Sequence, residues 1–175
     1  MRKSLQPIGR QAPESGLSAP ELQPLAAGAA IALYAAWNAR HLLNAWLHSP
    51  FDRCDSLAFF LWVSPVACLW ARRLLTGCPA RVSPGAFAIS LAISFAGVAT
   101  DLSALEYLGL AVALAGFLPI RPVTFPWLAF AAAWMPAAGW AFSTQGSILV
   151  NSMRAAAGLA ALLLTPLFLR HDSVR

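Results

Sequence analysis

Charge is what this chain has least of. Asp, Glu, Lys and Arg make up 11% of its 175 residues, where an ordinary soluble domain carries about a quarter. Hydrophobic residues account for 59%, so there is too little polar surface for a single soluble domain to be the expected class. Acidic side chains are especially scarce, seven against twelve basic ones, which leaves a formal charge of +5. In a soluble protein that excess would point to nucleic acid. Here the basic residues sit in short connectors, where they orient helices against a membrane, and no nucleic-acid partner is expected. The amino terminus lacks the apolar run of a cleavable signal peptide. Met1 to Pro20 instead holds Arg2, Lys3, Arg10, Pro7, Pro13 and Pro20. It reads as a disordered cytoplasmic tail over residues 1–22, with the first membrane segment as an uncleaved signal anchor.

What the chain does have is apolar length. A spanning helix takes about 20 mostly apolar residues, and six stretches come near it: Leu25–Leu47, Ser56–Trp70, Gly85–Ala99, Ala104–Ile120, Val123–Phe142 and Ser147–Leu169. The expected class is therefore all-α, a polytopic transmembrane helix bundle of about six spans in the plasma (inner) membrane. The helical domain runs over 23–170, with a short cytoplasmic tail at 171–175.

Six spans with a cytoplasmic start put nine of the twelve basic residues on one side: Arg2, Lys3, Arg10, Arg72, Arg73, Arg81, Arg121, Arg170 and Arg175. The other side receives Arg40, Arg53 and Arg154 with Asp52, Asp55, Asp101 and Glu106. That asymmetry follows the positive-inside rule and sets both ends in the cytoplasm. Cys68 and Cys78 then belong to the cytoplasmic half, away from Cys54, so neither is expected to pair with it. Ser90, Ser94 and Gly97 form one small-residue stripe and Gly109, Ala113 and Gly116 another, as close packing of two helices requires. Trp46, Trp62, Trp70, Trp127, Trp134 and Trp140 lie mostly near span ends, where an amphipathic ring favours the interface. Pro136 is expected to kink or end the fifth span by removing a backbone donor.

Candidate chemistry gathers on the outer face. Asn38, His41, Asn44 and His48 recur at spacings of three and four, which places them on one helical face. Such polar groups face either a bundle interior or the interface. The loop from Ser49 to Ser56 adds Asp52, Arg53, Cys54 and Asp55. Cys54 beside His48 is chemically competent as a nucleophilic pair, and a solvated interfacial loop is the alternative. His41, His48, Cys54 and Asp55 could ligate a metal, yet the spacing matches no dedicated motif, and neither metal nor cofactor is expected. In the last span Ser147, Asn151, Arg154, Gly158 and Thr165 share a face. Arg154 can bind an anionic group there, snorkel to the headgroups or make an intramembrane hydrogen bond. The candidate binding residues are thus His48, Asp52, Arg53, Cys54, Asp55, Asn151 and Arg154.

Three passages resemble the exosortase/archaeosortase family of polytopic membrane transpeptidase-like enzymes. Trp46-Leu47-His48-Ser49-Pro50-Phe51 is similar to the loop after that family's early span. Leu57 to Arg73, ending Leu69-Trp70-Ala71-Arg72-Arg73, is similar to its next helix. Phe125-Pro126-Trp127-Leu128-Ala129-Phe130 followed by Trp134-Met135-Pro136 resembles its segment with a Phe-Pro start and a later proline break. Together they lie within Leu25 to Leu169. Family members carry a Cys in a Cys-Ser-Gly-like setting, then an Arg and a His. None of Cys54, Cys68 and Cys78 is followed by Ser-Gly. Asn151-Ser152-Met153-Arg154 resembles the family's Asn-x-x-Arg element, with His171 downstream, but no matching Cys precedes it, and no catalytic residue is carried over.

The resemblance implies an exosortase-like protein of a cell-envelope protein-sorting system, truncated or without independent catalysis, because a covalent route has no nucleophile to start it. Its partners would be the lipid bilayer and sorting-anchor-bearing proteins or another membrane subunit. A non-enzymatic small subunit or assembly factor of a membrane complex is the alternative, since small-residue faces suit lateral packing. A small transporter or channel would need a polar pathway, which inverted repeats would support; no convincing repeat is found.

Overall fold

The computed structural model describes residues 19–48, 54–76, 82–136 and 147–172. Among the described residues the architecture is all-helical, with no strand. In order come α1 (Ala19–Asn38), α2 (His41–His48), α3 (Asp55–Thr76), α4 (Pro84–Thr100), α5 (Ser103–Ala115) and α6 (Thr124–Ala129). A 3-10 segment at Phe130–Ala133, α7 (Ser147–Leu163) and α8 (Thr165–Asp172) complete it.

The six apolar stretches do not become six unbroken spanning helices. Among the described residues two stretches are long and apolar enough to cross a membrane, Asp55–Thr76 and Ile148–Arg170. The first expected span is split at Ala39 and Arg40, where the backbone bonds Arg40 N–H to Trp37 O and Leu42 N–H to Ala39 O tighten to a three-residue spacing. In the described part of the fifth, the short helix α6 narrows into the 3-10 turn, which stops at Trp134; its residues 137–142 lie outside the described residues. Pro136 accounts for that stop, because it lacks the N–H that would continue the ladder. Pro166 breaks the last span in the same way, leaving Leu164 as a turn residue between α7 and α8. α1 begins at Ala19, ahead of the expected tail boundary at residue 22. Pro20 is no obstacle there, since the first turn of a helix has no use for that N–H.

The α4–α5 hairpin is the tightest contact in the fold. Ser83 caps α4 by accepting the Ala86 N–H at 3.3 Å. At the far end Asp101 takes left-handed backbone (φ 54°) and its N–H returns to Gly97 O. Between these ends the two small-residue stripes meet as the sequence predicts. The Ser90 hydroxyl donates to Gly109 O at 2.8 Å, and Ser83 N–H donates to Gly116 O at 2.8 Å. A Cβ on Gly97 would stand 2.9 Å from the Glu106 backbone nitrogen, which has no freedom to retreat. Phe87 fills the gap on the other side of α4, its ring against Gly28 of α1 and Gly116 of α5.

Three of the tryptophans correct the expectation drawn from the sequence, while Trp140 lies outside the described residues. Trp62, Trp127 and Trp134 are fully buried and form the centre of the core. Trp62 and Trp127 stack with centroids 4.1 Å apart and planes 14° from parallel. Each donates its indole N–H to the other's main-chain carbonyl, Trp62 to Trp127 O at 2.7 Å and Trp127 to Trp62 O at 2.9 Å. Phe59 meets Trp134 edge-on at 5.2 Å, and Phe168 meets Trp127 edge-on at 6.3 Å. Trp70 and Trp46 are half-buried, and they too reach carbonyls, of Phe117 at 3.1 Å and Trp134 at 3.3 Å. An indole is held at a membrane interface by its N–H, which needs an acceptor. Here main-chain carbonyls supply one for Trp46, Trp62, Trp70 and Trp127, whereas the buried Trp134 N–H has none among the described residues.

The hairpin makes a paired prediction. Gly97→Ala should cost about 1–3 kcal/mol by overpacking against backbone. Gly85→Ala, with nothing within 4 Å of the added carbon, should be neutral or stabilising by up to about 1 kcal/mol from helix propensity. Denaturant unfolding of the two purified variants measures the difference.

Candidate functional site

Asp55 and Arg154 are the part of the candidate site that the fold brings together. Asp55 is the first residue of α3, where a carboxylate complements the positive end of the helix dipole. Its side chain is fully buried. Arg154 lies in the second turn of α7, and its side chain is 5% exposed. The Arg154 Nη1 forms an ion pair with Asp55 Oδ1, and Nη2 donates to Met135 O at 3.4 Å. One guanidinium thus ties α7 both to the start of α3 and to the chain just past the 3-10 segment.

The approach of α3 and α7 that permits this contact is set four residues further along α7. Gly158 packs on Ala58, where an added Cβ would stand 3.0 Å from the Ala58 Cα. Asp55 and Ala58 are three apart, Arg154 and Gly158 four apart, so both contacts fall on one seam. At the other end of that seam Arg72 Nη1 donates to Leu169 O at 2.8 Å. Residue number rises in the same direction in both partners, so α3 and α7–α8 run parallel. Two charges taken out of water are costly unless paired, and this geometry pairs them.

The remaining expected residues do not converge. Asn151 is half-buried one turn before Arg154, on the same face. Cys54 is half-buried and its carbonyl accepts the Ala58 N–H at 2.8 Å, which starts α3. His48 is exposed, and its Nδ1 donates to Asn44 O of its own helix at 2.9 Å. No hydrogen bond joins His48 to Cys54 among the described residues, so the nucleophilic pair is not assembled. Asp52 and Arg53 lie outside the described residues, as do Cys78 and Arg81. No group of three or more His, Cys, Asp and Glu positioned for a metal occurs among the described residues. Of the readings of Arg154, the internal hydrogen bond is the one its geometry matches: the guanidinium is turned inward to Asp55 and to Met135 O, and does not snorkel outward.

Met135 is the site residue that sequence reasoning missed. Its contribution is a main-chain carbonyl, which carries no side-chain signal; the one legible hint was Pro136, whose missing N–H marks a local break in the helix ladder. The comparisons add no relative: no family model, curated protein or solved structure matches the chain.

The ion pair yields a stability prediction with a built-in control. Arg154→Met or Asp55→Leu alone should cost about 3–5 kcal/mol, because either leaves one buried charge uncompensated. The double variant Asp55→Leu with Arg154→Met should recover most of that loss, and Arg154→Lys should fall between, since an ammonium lacks the planar fork that serves two acceptors. Thermal unfolding of the wild type and the four purified variants reads the cycle.

Proposed function

We propose that the chain is a multi-pass helical protein of the plasma (inner) membrane, with both ends on its basic face. In this reading it is a non-catalytic scaffold of the exosortase-like kind, acting in cell-envelope protein sorting. The observation that carries the membrane part is the orientation of the apolar side chains. Only 33% of the apolar window in Asp55–Thr76 and 28% of that in Ile148–Arg170 is buried inside the bundle. Phe60, Phe95, Ile148 and Leu163 are between 66% and 84% exposed. Water would penalise that much exposed apolar surface, whereas acyl chains accept it.

The ends of the helices support the same reading. Trp70 at the end of α3 meets Phe117 just beyond α5, Phe168 of α8 meets Trp127 at the start of α6, and Arg72 holds Leu169 O. Arg72, Arg73, Arg121 and Arg170 therefore gather at one end of the bundle. Asp55, Asp101 and Glu106 lie toward the other, which is the charge asymmetry of a polytopic protein with its basic face inside. The non-catalytic part rests on Asp55 and Arg154: this buried carboxylate and guanidinium, both candidate binding groups, neutralise each other within the bundle. The sorting assignment rests on the family resemblance of the three passages quoted above.

A second reading, a subunit or assembly factor of another membrane complex, draws on Leu74 and Leu75. They are 74% and 88% exposed beside the basic end of α3, a depth at which acyl chains give way to headgroups and a protein partner would cover them better.

Topology and partner are read in one experiment. In a Cys-free background, Thr76→Cys and Asp101→Cys each place one thiol at an exposed position, at opposite ends of the bundle. A membrane-impermeant thiol reagent on intact cells should label position 101 and should reach position 76 only after permeabilisation. Equal labelling of both in intact cells overturns the topology. Crosslinked pull-down should recover proteins with a carboxyl-terminal sorting anchor; recovery of a fixed set of other membrane subunits instead would replace the sorting assignment with the assembly role.

A further inference from the structure

The short helix α2 divides its circumference three ways. Successive residues turn by about 100°, so Leu42 and Trp46 point one way, Leu43 and Leu47 a second, and His41, Asn44 and His48 a third. The structure gives each sector a different environment. Leu42 is buried, and Trp46 is half-buried with its indole on Trp134 O and its ring 5.6 Å from Phe59. Leu43 and Leu47 are 61% and 79% exposed. His41, Asn44 and His48 are exposed as well. A helix crossing the hydrocarbon needs two sectors, protein and lipid. A third, polar and exposed, belongs where apolar and aqueous surroundings meet along one helix.

The junction before α2 carries the matching side chains. Arg40 donates to Trp37 O at 3.3 Å, and its guanidinium lies 5.3 Å from the Trp37 ring centre. Both residues are exposed, and Leu33 one turn earlier is 72% exposed, which continues the apolar surface onto α1. An indole and a guanidinium together suit the headgroup layer, the ring at the ester level and the cation beside phosphate.

We propose that α2 is an interfacial helix, with the Leu43 and Leu47 edge among the outermost acyl segments of a phospholipid bilayer and the His41, Asn44 and His48 edge among its headgroups. Arg40 faces the lipid phosphates. This inference rests on the membrane reading above and adds the place and partner of a segment that the six-span scheme treated as the top of its first helix.

The test is depth measurement with nitroxide labels. The full-length chain, with Cys54, Cys68 and Cys78 replaced by Ser, is labelled singly at His41→Cys, Leu43→Cys, Asn44→Cys, Leu47→Cys and His48→Cys. It is then reconstituted in phosphatidylcholine vesicles containing phosphatidylglycerol. Leu159→Cys, on an exposed position of α7, reports whether the bundle is in lipid at all. Collision with oxygen relative to a water-soluble nickel chelate should be severalfold higher at 43 and 47 than at 41, 44 and 48, following the helical period. A steady change from 41 to 48 means that α2 simply continues a span, and overturns the proposal. So does uniform access of nickel, or exclusion of both reagents from 43 and 47 as a protein partner would impose. Nickel access at position 159 overturns the membrane reading itself, whereas an oxygen-rich 159 with any of the other patterns overturns this inference alone.

Discussion

Main-chain carbonyls hold this bundle together, because the chain has few other acceptors to offer. Trp62 and Trp127 exchange hydrogen bonds through each other's carbonyls, Trp70 uses that of Phe117, Trp46 that of Trp134, and Ser90 that of Gly109. Arg72 and Arg154 do the same with Leu169 and Met135. A buried N–H without a partner costs as much as several buried methylenes. With carboxylates and amides so sparse, helix–helix contacts form where one element leaves a carbonyl within reach of another's donor. The interruptions in the helices are therefore part of the packing. Where α5 ends and where the 3-10 segment stops before Pro136, the ladder of backbone bonds is incomplete, and an indole or a guanidinium takes the place of the missing N–H.

The Asp55 and Arg154 contact extends that economy to charge. One guanidinium serves a carboxylate on α3 and a carbonyl beyond the 3-10 segment, so three parts of the chain are joined at one buried point. Gly158 makes it possible by letting α7 approach α3 to within contact of backbone. Charge pairing of this kind contributes less net stability than its attraction implies, since desolvation offsets much of it. Its larger consequence is register: a slide of either helix by one turn would bury both charges apart. A residue pair committed to that task is poorly placed to bind or process a substrate, which is why the functional reading turns to the outside of the bundle.

Outward, the molecule offers apolar surface along its helices and charge at their ends. That distribution fits a lipid setting and lateral association, and it leaves α2 as the place where three environments meet. Polar stripes on helices have two ordinary fates, toward a bundle interior or toward headgroups. In the proposed membrane setting the stripe on α2 and the stripe on α7 take opposite ones. Arg154 turns inward because Asp55 is there to receive it. His41, Asn44 and His48 remain outside, while Leu42 and Trp46 from the same helix hold the core.

The all-helical class, the small-residue seam of α4 and α5, the break in the helix ladder before Pro136 and the face shared by Asn151, Arg154 and Gly158 were legible in the residues alone. Each depends on local rules: apolar length, side-chain period, missing backbone donors and the absence of a Cβ. Which partner each polar group finds follows instead from the packing of elements distant in the chain. Trp62 and Trp127, placed by rule at an interface, lie in the core, since each finds for its N–H the carbonyl of the other, 65 positions away. A cysteine and a histidine six residues apart stay separate, whereas a carboxylate and a guanidinium 99 positions apart are joined. Sequence distance says nothing about contact across a bundle; the packing of α3 on α7 does, because only there do Asp55 and Arg154 share one buried seam.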